Sequence, residues 1–459
     1  MALKVRMLFR SIRRSLTKLS AMQSIVLVFL AIILAGAGLL TLPISAKSGE
    51  TTPFLTALFT ATSCTCVTGL SLVDTFTHWS VFGQVVMLVL IQIGGLGFMT
   101  IMLLFLFAAR RKVGLKERLI IAQSFGVEKL SGIVKLAKKV LIRTLFIEGV
   151  GALVLTIRFL FLMPFGRALW CGVFHAVSAF CNAGFDILGD LQTGGSLTAY
   201  VADPVVNITL ILLILIGGLG FFVWEDLLHK KHFRDLSVYT KLVLLISSIL
   251  LLGGAALFAV LEWNNPATFG TMSAGEKIVA ALFQSMTTRT AGFYTVNQGA
   301  LTDASIAVTE ILMFIGGGSG STAGGAKMVT VAVLLLSVWS TARGRTYTTV
   351  MHRNISGEKV RDAVALVVMM FVLSVVSAVV LSVSGGVGLK DSLYEAVSAI
   401  ATVGLSTGIT PQLGTLSHLI LIVLMFFGRV GIMTFSLGFL FADKAEERYH
   451  YADAKLLIG

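Results

Sequence analysis

The sequence predicts an all-α membrane protein: four tandem helix–pore-loop–helix repeats, with eight transmembrane helices and four re-entrant pore helices around a pseudo-fourfold pore. Three observations predict it. The 459-residue chain is 56% hydrophobic and only 13% charged, with a mean hydropathy of +0.92. Soluble domains carry roughly 25% charged residues, so this chain cannot cover itself with a water-compatible surface. Its long apolar runs come in pairs, and between the members of each pair lies a short Gly-centred motif. The motifs are Val67-Thr68-Gly69-Leu70, Asn182-Ala183-Gly184-Phe185, Thr290-Ala291-Gly292-Phe293 and Thr402-Val403-Gly404-Leu405. Their glycines, at 69, 184, 292 and 404, follow one another at intervals of 115, 108 and 112 residues. One such tetrapeptide carries no weight; four in one register indicate a repeat.

The elements follow in order. After a basic N-terminus (1–20), repeat 1 (21–110) holds a span at 22–42, a pore helix at Pro53–Ser63 and a span at 80–107. The first run exceeds the roughly 7–15 apolar residues of a signal peptide, so it reads as an uncleaved span. Pro53 suits the opening turn of a helix. Repeat 2 (111–235) has spans at 140–163 and 204–226 around the pore helix Arg167–Phe180. Repeat 3 (236–350) has spans at 241–261 and 305–340 around Gly275–Thr288, and repeat 4 (351–443) spans at 363–384 and 415–441 around Lys390–Ala401. A cytoplasmic tail (444–459) closes the chain. Each span is near or above the roughly 20 residues that cross a hydrocarbon core.

The net charge of +13 is not a nucleic-acid signal, because of where it sits. Arg6, Arg10, Arg13, Arg14 and Lys18, then Arg110-Arg111-Lys112, Lys230-Lys231 with Arg234, Arg343 with Arg345 and Arg353, and Lys444 with Arg448 lie at the termini and the joins between repeats. Segments near the Gly motifs hold Asp74, Asp186, Asp190, Asp203, Asp303 and Asp391 instead. The positive-inside rule then places both termini in the cytoplasm and the loops toward the outside.

Backbone carbonyls can replace a cation's water shell without formal charge, and glycine leaves the lumen clear of side chains. Pore-helix C-termini aimed at the axis add a negative potential. Asp186 either adds to this field or caps the outer loop. Close helix packing explains one or two such motifs, but not four that each follow a pore-helix-like segment. An enzyme is disfavoured: the seven histidines are scattered, and no H-E-x-x-H, intramembrane aspartate pair or Ser/His dyad occurs. Cys64, Cys66, Cys171 and Cys181 match no metal or disulfide spacing and read as small core residues. A proton- or sodium-coupled carrier would hold carboxylates within its spans, where Glu148 and Glu310 are the exceptions.

The motifs Cys66-Val67-Thr68-Gly69-Leu70-Ser71, Asn182-Ala183-Gly184-Phe185-Asp186, Arg289-Thr290-Ala291-Gly292-Phe293 and Ala401-Thr402-Val403-Gly404-Leu405-Ser406-Thr407-Gly408 resemble the four filter loops of the Trk/Ktr/HKT superfamily of cation transporters. The resemblance covers nearly all of the chain and is nearer to the Ktr-type membrane subunit. It implies K⁺ held at the carbonyls of Val67, Thr68, Gly69, Asn182, Ala183, Gly184, Thr290, Ala291, Gly292, Thr402, Val403 and Gly404. Glycine at all four central positions favours K⁺ over Na⁺, and the function implied is potassium uptake across a bacterial plasma membrane. The alternative is a sodium-permeable or sodium/proton-coupled member of the same superfamily.

A second region is the run Gly316-Gly317-Gly318-Ser319-Gly320-Ser321-Thr322-Ala323-Gly324-Gly325-Ala326-Lys327. Each helix-interior glycine costs roughly 1 kcal/mol relative to alanine, so this stretch should unwind the span it interrupts and line an aqueous cavity; the alternative is a packing groove against a partner helix. It resembles the intramembrane gating loop of Ktr-type proteins (316–326). Arg429 lies inside the last span, where a charge must pair, bind carbonyls or face water; the resemblance implies that it contacts this loop. Lys327 either joins it or reaches the inner interface. Glu148 and Arg158 are either an interhelical pair or interfacial, and Arg289 should brace the third loop from behind. No cofactor is expected on this chain beyond transported K⁺ and Na⁺ as an activator. The resemblance further implies a homodimer in membrane lipid and a cytosolic ring of RCK-type, KtrA-like regulatory subunits that bind nucleotide.

Overall fold

The computed structural model describes residues 21–97, 133–190 and 195–431. The basic N-terminus, Arg110-Arg111-Lys112, Lys444, Arg448 and the tail to Gly459 lie outside the described residues, as do 98–107 and 432–441 of two expected spans.

In chain order the longer helices are α1 (Ala21–Thr41), α2 (Phe54–Cys66), α3 (Val81–Leu96), α4 (Ile133–Phe159), α5 (Phe165–Phe180), α6 (Pro204–Leu219), α7 (Phe221–His229), α8 (Val238–Glu262), α9 (Ala274–Thr287), α10 (Asp303–Phe314), α11 (Met328–Ala342), α12 (Gly357–Gly385), α13 (Leu389–Ile400) and α14 (Thr415–Val430). Their starts are chemically marked. Ser80, Ser237 and Thr302 cap α3, α8 and α10, Asp203 caps α6 ahead of Pro204, and Ser273 with Glu276 forms a capping box on α9, each filling orphan N–H groups of a first turn. Helices α1, α4, α8 and α12 each contain a stretch long and apolar enough to cross a membrane. The expected pore helices correspond to α2, α5, α9 and α13.

The partner helices depart from the expected continuous spans. Helix α3 stops at Gly97 (φ 75°) and α14 at Gly431 (φ 93°). The expected span 204–226 is two helices, α6 and α7, bent by 94° at Gly220 (φ 97°). The cause is packing against the short helices. A Cβ on Gly94, Gly217 or Gly428 would lie 2.1, 2.0 and 2.1 Å from the carbonyl oxygens of Thr65, Phe180 and Ile400 respectively. These helices touch backbone to backbone where the short helices end, and only glycine permits that. The all-α expectation also misses a two-stranded antiparallel hairpin, β1 (Thr348–Val350) and β2 (Arg353–Ile355), in the link between α11 and α12. Met351 and His352 turn it with φ of 45° and 61°.

Three apolar clusters close the bundle on itself. One joins α1–α6, a second joins α1 and α2 to α12–α14 through Ile33, Phe59, Leu421 and Met425, and a third joins α8–α10 to α13 through Phe258, Ala280, Tyr394 and Val397. Outward, Phe146, Ile249, Val260 and Val383 are exposed, as a lipid-facing surface requires.

Candidate ion pathway

Each Gly motif follows directly on α2, α5, α9 or α13. Two residues before the glycine, Val67, Asn182, Thr290 and Thr402 adopt left-handed conformations with φ of 56°, 59°, 61° and 50°. The glycines do likewise, at 103°, 68°, 79° and 91°, while Thr68, Ala183, Ala291 and Val403 between them do not. A left-handed residue that is not glycine costs about 1–3 kcal/mol and persists only where its surroundings impose it.

The imposing groups are one hydroxyl residue per short helix. Ser63, Ser178, Thr287 and Ser398 are buried, and their carbonyls accept the N–H of Thr68 (2.8 Å), Ala183 (2.7 Å), Ala291 (3.0 Å) and Val403 (2.8 Å). Gly69 and Gly404 donate their N–H to the hydroxyls of Ser63 and Ser398, both at 3.1 Å. Ser178 and Thr287 donate instead to the carbonyls of Phe185 and Phe293. The sequence reading missed these four residues; their common offset, five or six positions before each glycine, is the signal that marks them.

The four loops meet in a closed cycle. A Cβ on Gly69 would lie 2.7 Å from Ala183 O, on Gly184 2.7 Å from Ala291 O, on Gly292 2.8 Å from Val403 O, and on Gly404 2.0 Å from Thr68 O. Each glycine thus faces the carbonyl of the next loop, and the fourth returns to the first. All twelve residues expected at the loops are buried except the half-buried Gly69. On one side of the ring opens a cavity of about 320 Å³, lined by all four glycines with Ser71, Asp74, Asp186, Tyr294, Ser406 and Thr410. Half-buried Asp186 both accepts the Leu188 N–H (3.3 Å) and lines this cavity. Burial, reinforced by Asp74, pushes its carboxyl up to about 6.

Below the ring, α10 and α11 are separated by residues 315–327, as the glycine run predicts. This segment is tethered by backbone bonds. Gly318 N and Thr322 N donate to Gly218 O (2.8 Å) and Gly217 O (3.2 Å), and Phe221 N donates to Gly320 O (2.9 Å). The Thr322 hydroxyl donates to Phe180 O (3.0 Å), and Gly324 passes so close to the fourth loop that a Cβ there would overlap Thr402 Oγ1. Arg429 donates to the carbonyls of Thr322, Gly94 and Gly95, so it holds the segment to the end of α3. Lys327 Nζ turns back to Ala323 O (2.7 Å) rather than outward.

The remaining ambiguities resolve. Glu148 accepts from Gln92 Nε2 at 3.1 Å, whereas Arg158 pairs with Asp203 at 2.6 Å, so the two are not partners. Arg289 donates to the hydroxyl (2.6 Å) and carbonyl of Ser247 on α8, behind the third loop. A further buried carboxylate, Glu395 on α13, accepts from Ser406 and from Thr410 (2.8 Å) and fixes the chain just after the fourth loop. It was missed because α13 is a short helix, not a span.

A bundle of apolar helices enclosing a ring of backbone carbonyls has the build of a multi-pass cation transport protein. The chain belongs to the TrkH family, described as "Cation transport protein", whose profile matches residues 4–448. Among its relatives, the potassium/sodium uptake protein NtpJ of Enterococcus hirae is 39% identical over 97% of this chain and 99% of its own. The Ktr system potassium uptake protein B of Bacillus subtilis is also 39% identical, over 94% and 95% of the two chains. The crystal structure of the potassium transporter TrkH from Vibrio parahaemolyticus shares the fold, with a TM-score of 0.72 and 19% identity, covering 92% of this chain and 85% of that one.

Proposed function

We propose that this chain is the ion-translocating membrane subunit of a Ktr-type potassium uptake system. The supporting observation is the closed cycle of glycine-to-carbonyl approaches among Gly69, Gly184, Gly292 and Gly404, which gathers backbone oxygens of all four loops where they can replace a cation's water. K⁺ collects in the outer cavity beside Asp74 and Asp186, sheds water at the ring and passes inward. The segment 315–327 with Arg429 is the gate: it packs beneath the second and fourth loops. An inside-negative potential supplies about 2.3 kcal/mol per charge per 100 mV, enough to drive accumulation without hydrolysis by this chain.

In this reading the chain comprises four repeats in parallel orientation in a plasma membrane, with both termini cytoplasmic. It works as a homodimer on a nucleotide-binding RCK-type ring. The name of the Enterococcus hirae relative, a potassium/sodium uptake protein, favours a sodium-permeable pathway as the second reading. Flux of ⁸⁶Rb⁺ into liposomes holding the purified chain separates the two. Competition by K⁺ but not Na⁺ is the expected result. Equal competition selects the second reading, and absence of flux even with the cytosolic subunits present rejects both.

A further inference from the structure

Helix α7 leaves α6 at 94°, so it runs across the direction of the span. A short helix lying across a span, with apolar side chains beside basic ones, is built for the membrane–water boundary. Leu228 and Phe233 are 65% and 63% exposed, and Lys231 and Arg234 beside them are exposed and make no ion pair with a described residue.

The fold adds a second basic group that lies far away in sequence. Glu225 of α7 is held between Lys139 and Arg143 of α4, each at 2.6 Å. This clasp joins α7 to the first turns of α4, where Lys135 and Lys138 are exposed and make no ion pair with a described residue. Between Phe221 and Leu236 the only exposed acid is Asp235, just past the 230–234 link, since Asp226 is half-buried and paired with Lys230 at 2.6 Å. One to three turns further along α4, Ile142, Leu145 and Phe146 are exposed to lipid. Cations with no ion-pair partner among the described residues thus lie on the same helix as an apolar belt, the charge pattern of a phospholipid's boundary.

The same helix is bonded to the candidate gate. Its first N–H, that of Phe221, donates to Gly320 O at 2.9 Å, and the Tyr239 hydroxyl just beyond the link donates to Ser319 O at 3.0 Å. Trp224 packs on the ring of Phe180, 5.7 Å between centroids, at the base of the second loop.

We propose that α7, the 230–234 link and the start of α4 form a binding surface for an anionic phospholipid headgroup, and that its occupancy biases the 315–327 segment through Gly320 and Ser319. Headgroup phosphate neutralises Lys135, Lys138, Lys231 and Arg234, while the acyl chains cover Leu228, Phe233 and the α4 belt. The headgroup steadies α7, and the two tethers carry that constraint to the segment. The consequence for flux rests on the transport reading above; the binding surface does not.

The test uses the full chain with two readouts. Native mass spectrometry counts retained phosphatidylglycerol, and ⁸⁶Rb⁺ flux is compared in phosphatidylcholine liposomes with and without phosphatidylglycerol. Each neutralised basic residue should weaken retention about fivefold. A variant with Lys135→Gln, Lys138→Gln, Lys231→Gln and Arg234→Gln should therefore lose bound phosphatidylglycerol and the flux difference between the two lipids. Tyr239→Phe should keep the bound lipid and lose part of the flux difference. Equal retention by the fourfold variant and the parent overturns the binding surface. Tyr239→Phe responding to lipid like the parent overturns the coupling. Retained lipid without flux in any membrane counts against the transport reading alone. A fourfold variant that keeps its lipid but no longer binds the cytosolic subunits makes the patch a protein-docking face instead.

Discussion

At the residue scale the ring is a set of close approaches that tolerate no side chain. Gly404 has φ 91°, and an added Cβ would lie 2.0 Å from Thr68 O. Gly404→Ala combines left-handed strain of about 1–2 kcal/mol with overpacking of about 1–3 kcal/mol. The expected result is at least a tenfold loss of ⁸⁶Rb⁺ flux with a lowered melting temperature; parental flux in the variant would remove this glycine from the pathway. Asp186 is the group expected to make flux past this cavity depend on pH. Above about pH 6 its carboxyl is charged and attracts cations, and as the pH on that side falls through that value it becomes neutral. Flux at low ionic strength should drop across pH 7 to 5 in the parent and stay level in Asp186→Asn, while high salt should erase the difference. Both residues stand out in the sequence by their spacing, whereas Ser63, Ser178, Thr287 and Ser398 do not. Single hydroxyls in apolar helices are common, and only the geometry distinguishes those that hold a loop.

At the scale of elements, the decisive feature is that the second helix of each pair ends, bends or breaks at a glycine, while the first contains an unbroken stretch long enough to cross a membrane. A glycine packed on the end of a short helix sets each break at Gly97, Gly220 and Gly431, and the glycine run 316–325 opens the third. The sequence makes the long interruption legible, because six glycines in ten residues cannot sustain a helix. It does not reveal the 94° bend at Gly220, since Gly217-Gly218-Leu219-Gly220 repeats the pattern of Gly94-Gly95-Leu96-Gly97 and neither run tells a bend from a continuous helix. Arg429 belongs to this scale because its three carbonyl partners lie on two different elements, α3 and the 315–327 segment. Arg429→Ala leaves those carbonyls without a donor and the segment without its tether, so resting ⁸⁶Rb⁺ leak should rise severalfold. Unchanged or lower leak at equal protein levels would mean that Arg429 holds structure only.

At the scale of the whole molecule, the ring of loops exists only because the chain closes on itself. The cluster holding Ile33, Phe59 and Leu70 together with Ile400, Leu421 and Met425 joins the first helices to the last. Without it the fourth loop would not reach Thr68. A chain ending at residue 350 should therefore show no flux and lose its sharp elution in detergent. Co-expression of 351–459 as a separate chain should restore both, since the joint is made by packing rather than by the covalent link. Failure of that rescue with both pieces present in the membrane would show that closure needs the connection.

Hydropathy and motif spacing by themselves determined that the chain is a helical membrane protein, where its four short helices lie, and which four glycines belong together. These are local or periodic properties, written in the chemistry of neighbouring residues. Only the tertiary structure decided that Glu148 bonds Gln92 while Arg158 pairs with Asp203, that Arg429 binds carbonyls rather than a carboxylate, and that Glu395 anchors the fourth loop. It also decided that Glu225 of α7 is held between Lys139 and Arg143 of α4. Such pairings depend on which helices become neighbours once the apolar faces have packed, and no spacing along the chain encodes that choice.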